Sequence, residues 1–171
     1  LQLRLIGSGM SGTNLADLLG YDSETGIVYW KADRAPGIKA GDKAGTKTVY
    51  GYTRIGIAGK DHMAHRIAWF LAYGEYPNGF LDHINGDRSD NRLANLRIAS
   101  KAENGWNAKK SKANTSGFKG VYWHKKLEKW HAGICVKGKH ISLGFYPSPY
   151  MAHNAYKFAT GLLFREFANH G

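Results

Sequence analysis

Cysteine is nearly absent from this chain. Cys135 is the single one, which excludes an internal disulfide and a cysteine-built zinc cluster and fits a reducing cytosol. Long apolar runs are missing too. None approaches the roughly 20 residues that a membrane span needs, and no basic segment followed by an apolar stretch marks a secretory signal. These absences point to a cytoplasmic protein with no membrane partner. Acidic residues are scarce in one part only. Residues 1–100 carry 12 Lys and Arg against 10 Asp and Glu, a net of +2, whereas residues 101–171 carry 12 against 3, a net of +9. Such asymmetry suits a polyanion bound mainly through the C-terminal part, although basic faces also meet membranes or are merely solvated.

What is present is enough apolar and aromatic material for real cores: 43% hydrophobic and 13% aromatic residues in a chain of 171. That length allows one large domain or two small ones. Leu1 to Gly9, with its "GSG", reads as an appended leader, and Met10 as a native start. "NLADLLG" predicts a short helix capped by Asn14 and ended by Gly20. "YDSETGIVYWK" predicts a turn and then a strand, and "TVYGYTRIGIAGKDHMA" a hairpin with Gly59 at or near its turn. "HRIAWFLAYG" has helical spacing, with Ile67, Phe70 and Leu71 on one face and Gly74 as terminator. Phe80 to Ile84 and Leu96 to Ala99 are short strand candidates. Ser100 and Glu103 then form a capping box that starts a helix at about residue 101. Residues 107–117 are polar and basic and read as a linker. Beyond them "KGVYWHK", "KWHAGICVK" and "HISLGFY" alternate like three antiparallel strands, and residues 148–167 carry an apolar helical stripe.

The stretch "LDHINGDRSDNRLANLRIAS", residues 81–100, holds the chemistry. Neighbouring side chains on a strand point to opposite faces, so Asp82 and His83 serve one site only where the strand ends. Asn85-Gly86 just beyond is a turn signal. The capped helix brings Asn104 into its first turn. A carboxylate and an amide oxygen are hard ligands suited to Mg²⁺, which keeps several waters. A neutral His83 imidazole, with an ordinary pKa of about 6.5, can take a proton from water. Metal and base together are the parts of phosphodiester hydrolysis. Taken singly, an Asp-His pair is more often surface decoration, and Asn91 and Asn95 are more often turn residues than ligands.

"AHRIAW" followed by "LDHINGDRSDNRLANLRIASKAEN" resembles the HNH endonuclease family, in its phage and intron-encoded homing-type subgroup. The resemblance implies a ββα-metal motif with one divalent ion, Mg²⁺ or alternatively Mn²⁺. It implies His83 as general base, Asp82 and Asn104 as metal ligands, and Asn95 as the residue that pins the long loop. His65 falls in the matching "HR" pair, where a supporting role is favoured over a catalytic one. Gly105 departs from good helix chemistry, so Asn107, one turn on, is the fallback ligand.

"KGVYW", "KWHAGI" and "LGFY" with the Ala-rich stretch after them resemble the Apetala-2/ethylene-response-factor DNA-binding domain, which lays a three-stranded sheet in the major groove. Alternation places Val121, Trp123, Trp130, Ile134, Ile141 and Leu143 towards the helix. It places Lys119, Tyr122, His124, His131, Cys135, Lys137, His140 and Ser142 outward. The DNA-binding candidates are therefore Lys119, Tyr122, His124, His131, Lys137 and His140, together with Lys126.

The expectation is an α+β protein. An HNH nuclease domain occupies 10–106, its ββα-metal motif about 80–110. A basic linker follows at 107–117, and then, over 118–171, a small three-stranded antiparallel sheet packed on one helix. Its function would be divalent-metal-dependent cleavage of double-stranded DNA, with no obligate protein partner, in a phage-infected bacterial cytoplasm. The rival reading is a DNA-binding protein whose nuclease-like domain does not cleave. An RNA-binding module is weaker, because outward aromatics are too few for base stacking.

Overall fold

The computed structural model describes residues 15–170. The leader, Met10 and the Asn14 cap lie outside them. The described residues mix helices with four small sheets. The described chain divides into two compact units, residues 15–78 with 87–97, and residues 79–86 with 98–170.

The first unit begins with α1 (Leu15–Leu18) and passes directly into β1 (Leu19–Asp22). The helix expected to run to Gly20 thus stops early. β1 pairs antiparallel with β2 (Ile27–Trp30), Leu19 opposite Trp30, and both side chains are buried. Burying that pair outweighs the weak helix propensity of so short a segment. β3 (Thr46–Lys47), β4 (Thr53–Ile57) and β5 (Lys60–Met63) form the second sheet in that order. In β4, Thr53, Ile55 and Ile57 are buried while Arg54 and Gly56 are exposed, a half-covered strand. α2 (Ala64–Tyr73) lays Ala64, Ile67 and Ala68 on this core, with Phe70 and Leu71 partly buried beside them, and ends at Gly74. Ile55 and Ile67 are wholly buried at its centre.

β6 (Phe80–His83) and β7 (Leu96–Ala99) make a two-stranded sheet. α3 (Lys101–Asn107) follows and packs against β6. Its capping box is complete: Ser100 Oγ accepts from the Glu103 N–H at 3.3 Å, and the Glu103 carboxylate accepts from the Ser100 N–H at 2.7 Å. The basic stretch after α3 is tied down by hydrogen bonds. Ser116 Oγ donates to the carbonyls of Phe118 and Val121, and Lys110 Nζ to that of Gly117.

β8 (Val121–His124), β9 (Lys129–Val136) and β10 (Lys139–Tyr146) form an antiparallel sheet in the order β10-β9-β8. α4 (Pro149–Phe164), capped by Ser148 Oγ, buries Ala152, Tyr156, Thr160 and Phe164. A small core of Val121, Ala132 and Ala152 lies between sheet and helix, joined by the flanks of Trp130, Leu143 and Tyr146. Gly120 enters β8 with φ +72°, and an added Cβ would lie 2.2 Å from the Tyr156 ring. Only glycine allows both that backbone and that approach. Trp123 and Ile141 occupy the helix-facing side as expected, yet each is 43% exposed. They sit on the two edge strands of the sheet. Among the described residues, no helix is long and apolar enough to cross a membrane.

Candidate functional site

β6 positions the acid and the histidine. Leu81, Asp82 and His83 are all buried, the last two only 4% exposed. The strand stops at His83, where the Gly86 N–H closes a turn on the His83 carbonyl at 2.8 Å. Gly86 has φ +67°, the left-handed backbone that the turn requires. Ending the strand there frees consecutive side chains from strict alternation.

α3 supplies the partner, and the residue that reaches Asp82 is Asn107. Asn107 Nδ2 lies 3.0 Å from each Asp82 carboxylate oxygen and 2.8 Å from the His83 main-chain carbonyl. An amide nitrogen has two hydrogens. One is shared across the carboxylate, and the other meets the carbonyl. On its far side, Asn107 takes two contacts from Asn169 Nδ2, at 2.8 Å to the main-chain oxygen and 3.5 Å to Oδ1. Asn104 lies three residues earlier on α3 and is half-buried. That spacing puts it on the same helix face as Asn107, but no hydrogen bond joins its side chain to Asp82 among the described residues. Asn104 is the expected metal ligand, with Asn107 as fallback; the side chain hydrogen-bonded to Asp82 is that of Asn107.

The last turn of α3 is held by groups far along the chain. The Trp106 ring stacks on Phe164 with centroids 4.3 Å apart and planes 8° from parallel. Lys119 Nζ donates to the carbonyls of Trp106 at 2.8 Å and Ala108 at 2.5 Å. These are carbonyls that a helix C-terminus leaves open, where a cation is favoured. Burial holds the Lys119 amine below its ordinary pKa. Lys119, expected to face outward towards DNA, is thus engaged with α3 instead.

Two further candidates of the nuclease region, Asn95 and His65, fall in the first unit. Asn95 is buried, and its Nδ2 donates to the Asp90 carbonyl at 2.8 Å, bracing the loop before β7. In the same loop Asp90 takes two bonds from the Arg92 guanidinium, and the Asn91 carbonyl accepts from Tyr21 Oη. His65 is buried in the first turn of α2, its ring 5.4 Å from that of Tyr52. Arg66 reaches the Pro77 carbonyl and Arg88 that of Tyr50.

On the open side of the three-stranded sheet, Tyr122, His131 and Phe145 stand in one row across the strands. Tyr122 and Phe145 both pair with His131, at ring distances of 4.6 and 4.7 Å. His124 meets Phe145 edge-on. A bulge at Ser142–Gly144 puts one extra residue into β10 and turns Phe145 to this side. Plain alternation could not reveal that. His131, expected to be accessible, is only 7% exposed beneath these rings, with Nε2 2.8 Å from Ser142 Oγ. Burial, then the charge of His124, lowers its pKa. Tyr122, Lys126, Lys137 and His140 are exposed, and His124 is half-exposed.

As a cation site, the donor set at β6 and α3 is sparse. Among the described residues, no cluster of three or more His, Cys, Asp or Glu side chains could cage a metal. One buried carboxylate and an amide oxygen nonetheless suit a hard divalent ion that retains waters and takes substrate oxygens. Soft or four-ligand metals do not fit.

Residues 62–106 match the model of the HNH endonuclease family, a span that holds α2, β6, β7 and all but the last residue of α3. The chain is also similar to Protein 3.8 of Escherichia phage T7, with 43% identity over 76 residues. That alignment covers 44% of this chain, which spans 63% of the relative's length. No solved structure matches the chain significantly.

Proposed function

We propose that the protein is a divalent-metal-dependent DNA endonuclease of the HNH type, phage- or mobile-element-derived, that hydrolyses phosphodiester bonds. The observation that carries this reading is the buried Asp82–His83 pair at the end of β6, tied to α3 within a span that matches a nuclease family. Asp82 and Asn104 would hold Mg²⁺ or Mn²⁺ as part of a ββα-metal motif. The amide orientation of Asn107 favours Asn104 as the second ligand, since Asn107 turns N–H groups rather than oxygen to the carboxylate. A bound ion would supply positive charge to the scissile phosphate and its leaving oxygen. His83, as neutral imidazole, takes the proton of the attacking water. Asn95 and His65 keep loop and helix in place.

The sheet of β8, β9 and β10 acts as an Apetala-2-like DNA-binding domain over residues 118–171. Lys126 and Lys137 meet phosphates, while Tyr122, His124 and His140 reach further into the groove. Its charge supports this role: residues 101–171 hold the +9 excess.

Plasmid cleavage with Mg²⁺, with and without EDTA, tests the reading in wild type and His83→Ala. Wild type should cut only with the ion. The variant should be slower by about 10² or more with DNA binding retained. Near-wild-type cutting by His83→Ala would remove this residue from the mechanism. A wild-type protein that binds DNA but never cuts it, with any divalent ion, would leave a binding protein.

A further inference from the structure

We propose that Asn107 is a positioning residue of the nuclease site, and that Asn169, near the C-terminal end of the described chain, fixes it there. This deepens the reading above and rests on Asp82 and His83 being the reactive pair.

The orientation of the Asn107 amide is determined from both sides. Three acceptors, the two Asp82 oxygens and the His83 carbonyl, lie within 3.0 Å of one terminal atom. A donor, Asn169 Nδ2, approaches the other at 3.5 Å. Nitrogen towards Asp82 and oxygen towards Asn169 satisfies every neighbour, and the flipped amide satisfies none. Asn107 is therefore a donor to the carboxylate, not a second oxygen beside it. It fixes the plane of the Asp82 carboxylate and, through the His83 carbonyl, the backbone that aims the imidazole. Both acceptor residues are consecutive in β6, so one side chain sets the relative placement of ligand and base.

Asn107 is the last residue of a seven-residue helix containing Gly105, which has little stability of its own. Its position depends on what holds that end: Asn169 on the Asn107 carbonyl, the Trp106–Phe164 stack, and Lys119 on the neighbouring carbonyls. All three come from residues 119–169, the region otherwise read as DNA-binding. The C-terminal segment is accordingly a supporting wall of the active site.

The test compares Asn107→Ala, Asn107→Asp, Asn169→Ala, Asn169→Asp and Asp82→Ala in the full chain. Readouts are kcat and KM for plasmid cleavage in Mg²⁺, DNA affinity in EDTA, Mn²⁺ binding by calorimetry, and the side-chain amide NMR signal of Asn107 in the metal-free protein. Asn107→Ala should lower kcat about 10–100-fold, the usual range for residues that orient metal ligands, with KM and DNA affinity in EDTA unchanged and Mn²⁺ binding weakened but measurable. Asn107→Asp should do no better, since a carboxylate would then face a carboxylate. Both Asn169 variants remove the N–H donor at a half-buried site. Each should lower kcat several-fold and shift the Asn107 amide signal, and they decide the matter if an Asn107 variant does not fold. Wild-type cleavage and Mn²⁺ affinity in Asn107→Asp would make residue 107 a direct ligand and overturn the proposal. Unchanged kcat in Asn107→Ala and both Asn169 variants, with Asp82→Ala inactive, would also overturn it and leave the nuclease reading intact. A fully active Asp82→Ala would overturn the reading beneath it.

Discussion

Lys119→Met separates a lysine that braces the fold from one that grips DNA. Methionine keeps the aliphatic stem and removes the ammonium. In the structure that ammonium bonds the carbonyls of Trp106 and Ala108 at 2.8 and 2.5 Å. Hydrogen bonds from a charged donor are worth about 1.5–3 kcal/mol each when buried. Lys119 is only half-buried, so solvent screening reduces the pair to about 2 kcal/mol in all. For a chain of this size that lowers Tm by roughly 4–8 °C. The salt dependence of DNA binding should not change. A phosphate-bound lysine adds about −0.9 to the slope of log K against log salt, so Lys126→Ala and Lys137→Ala should each flatten the slope by up to about 0.9, whereas Lys119→Met should leave it alone. Fluorescence anisotropy of labelled duplex DNA over a salt series, with a thermal melt of each variant, gives both numbers. A Lys119→Met protein with unchanged Tm and a slope flattened by about 0.9 would refute the bracing role.

Asp82→Ala should abolish cleavage and Mn²⁺ binding, and Asn104→Ala should weaken both, because few protein oxygens hold the ion; calorimetry showing unaltered Mn²⁺ binding in Asn104→Ala would remove it as a ligand. Gly120→Ala places a methyl 2.2 Å from the Tyr156 ring at φ +72°, and strain with overpacking should cost about 2–5 kcal/mol. A loss under 1 kcal/mol by denaturant titration would contradict that approach. His131, His153 and His170 all have pKa values lowered chiefly by burial. Between their folded values and the ordinary value of about 6.5 the unfolded chain binds more protons, so stability falls as pH drops through that window. Tm should decline from pH 7 towards pH 5, less steeply in His131→Gln; parallel curves for variant and wild type would acquit His131.

Local chemistry made much of the architecture readable from the sequence. The Ser100–Glu103 box, the alternation in β4 and β9, and the apolar face of α2 each depend on residues within a turn or a strand of one another. The β1–β2 hairpin was not readable, because Gly20 looks like a helix terminator until Leu19 is seen buried against Trp30. The bulge in β10 hid the outward turn of Phe145. At the candidate site, residue type alone singled out Asp82, His83 and, on α3, Asn104 with Asn107 behind it. Which asparagine meets the carboxylate depends on how the end of α3 is held, and Asn169 carries no local signal of its part in that. The same is true of Lys119, which in sequence is one basic residue among many.

The Asn107–Asn169 bond joins residues 62 positions apart, and this sets a clock on the ribosome. At about 5–20 residues per second, translation needs roughly 3–12 s to add residue 169 after residue 107. Throughout that interval the Asn107 amide that meets Asp82 and the His83 carbonyl lacks its anchor. Under the proposed reading, the Asp82–His83 pair is therefore held in its final geometry only once residue 169 has been added.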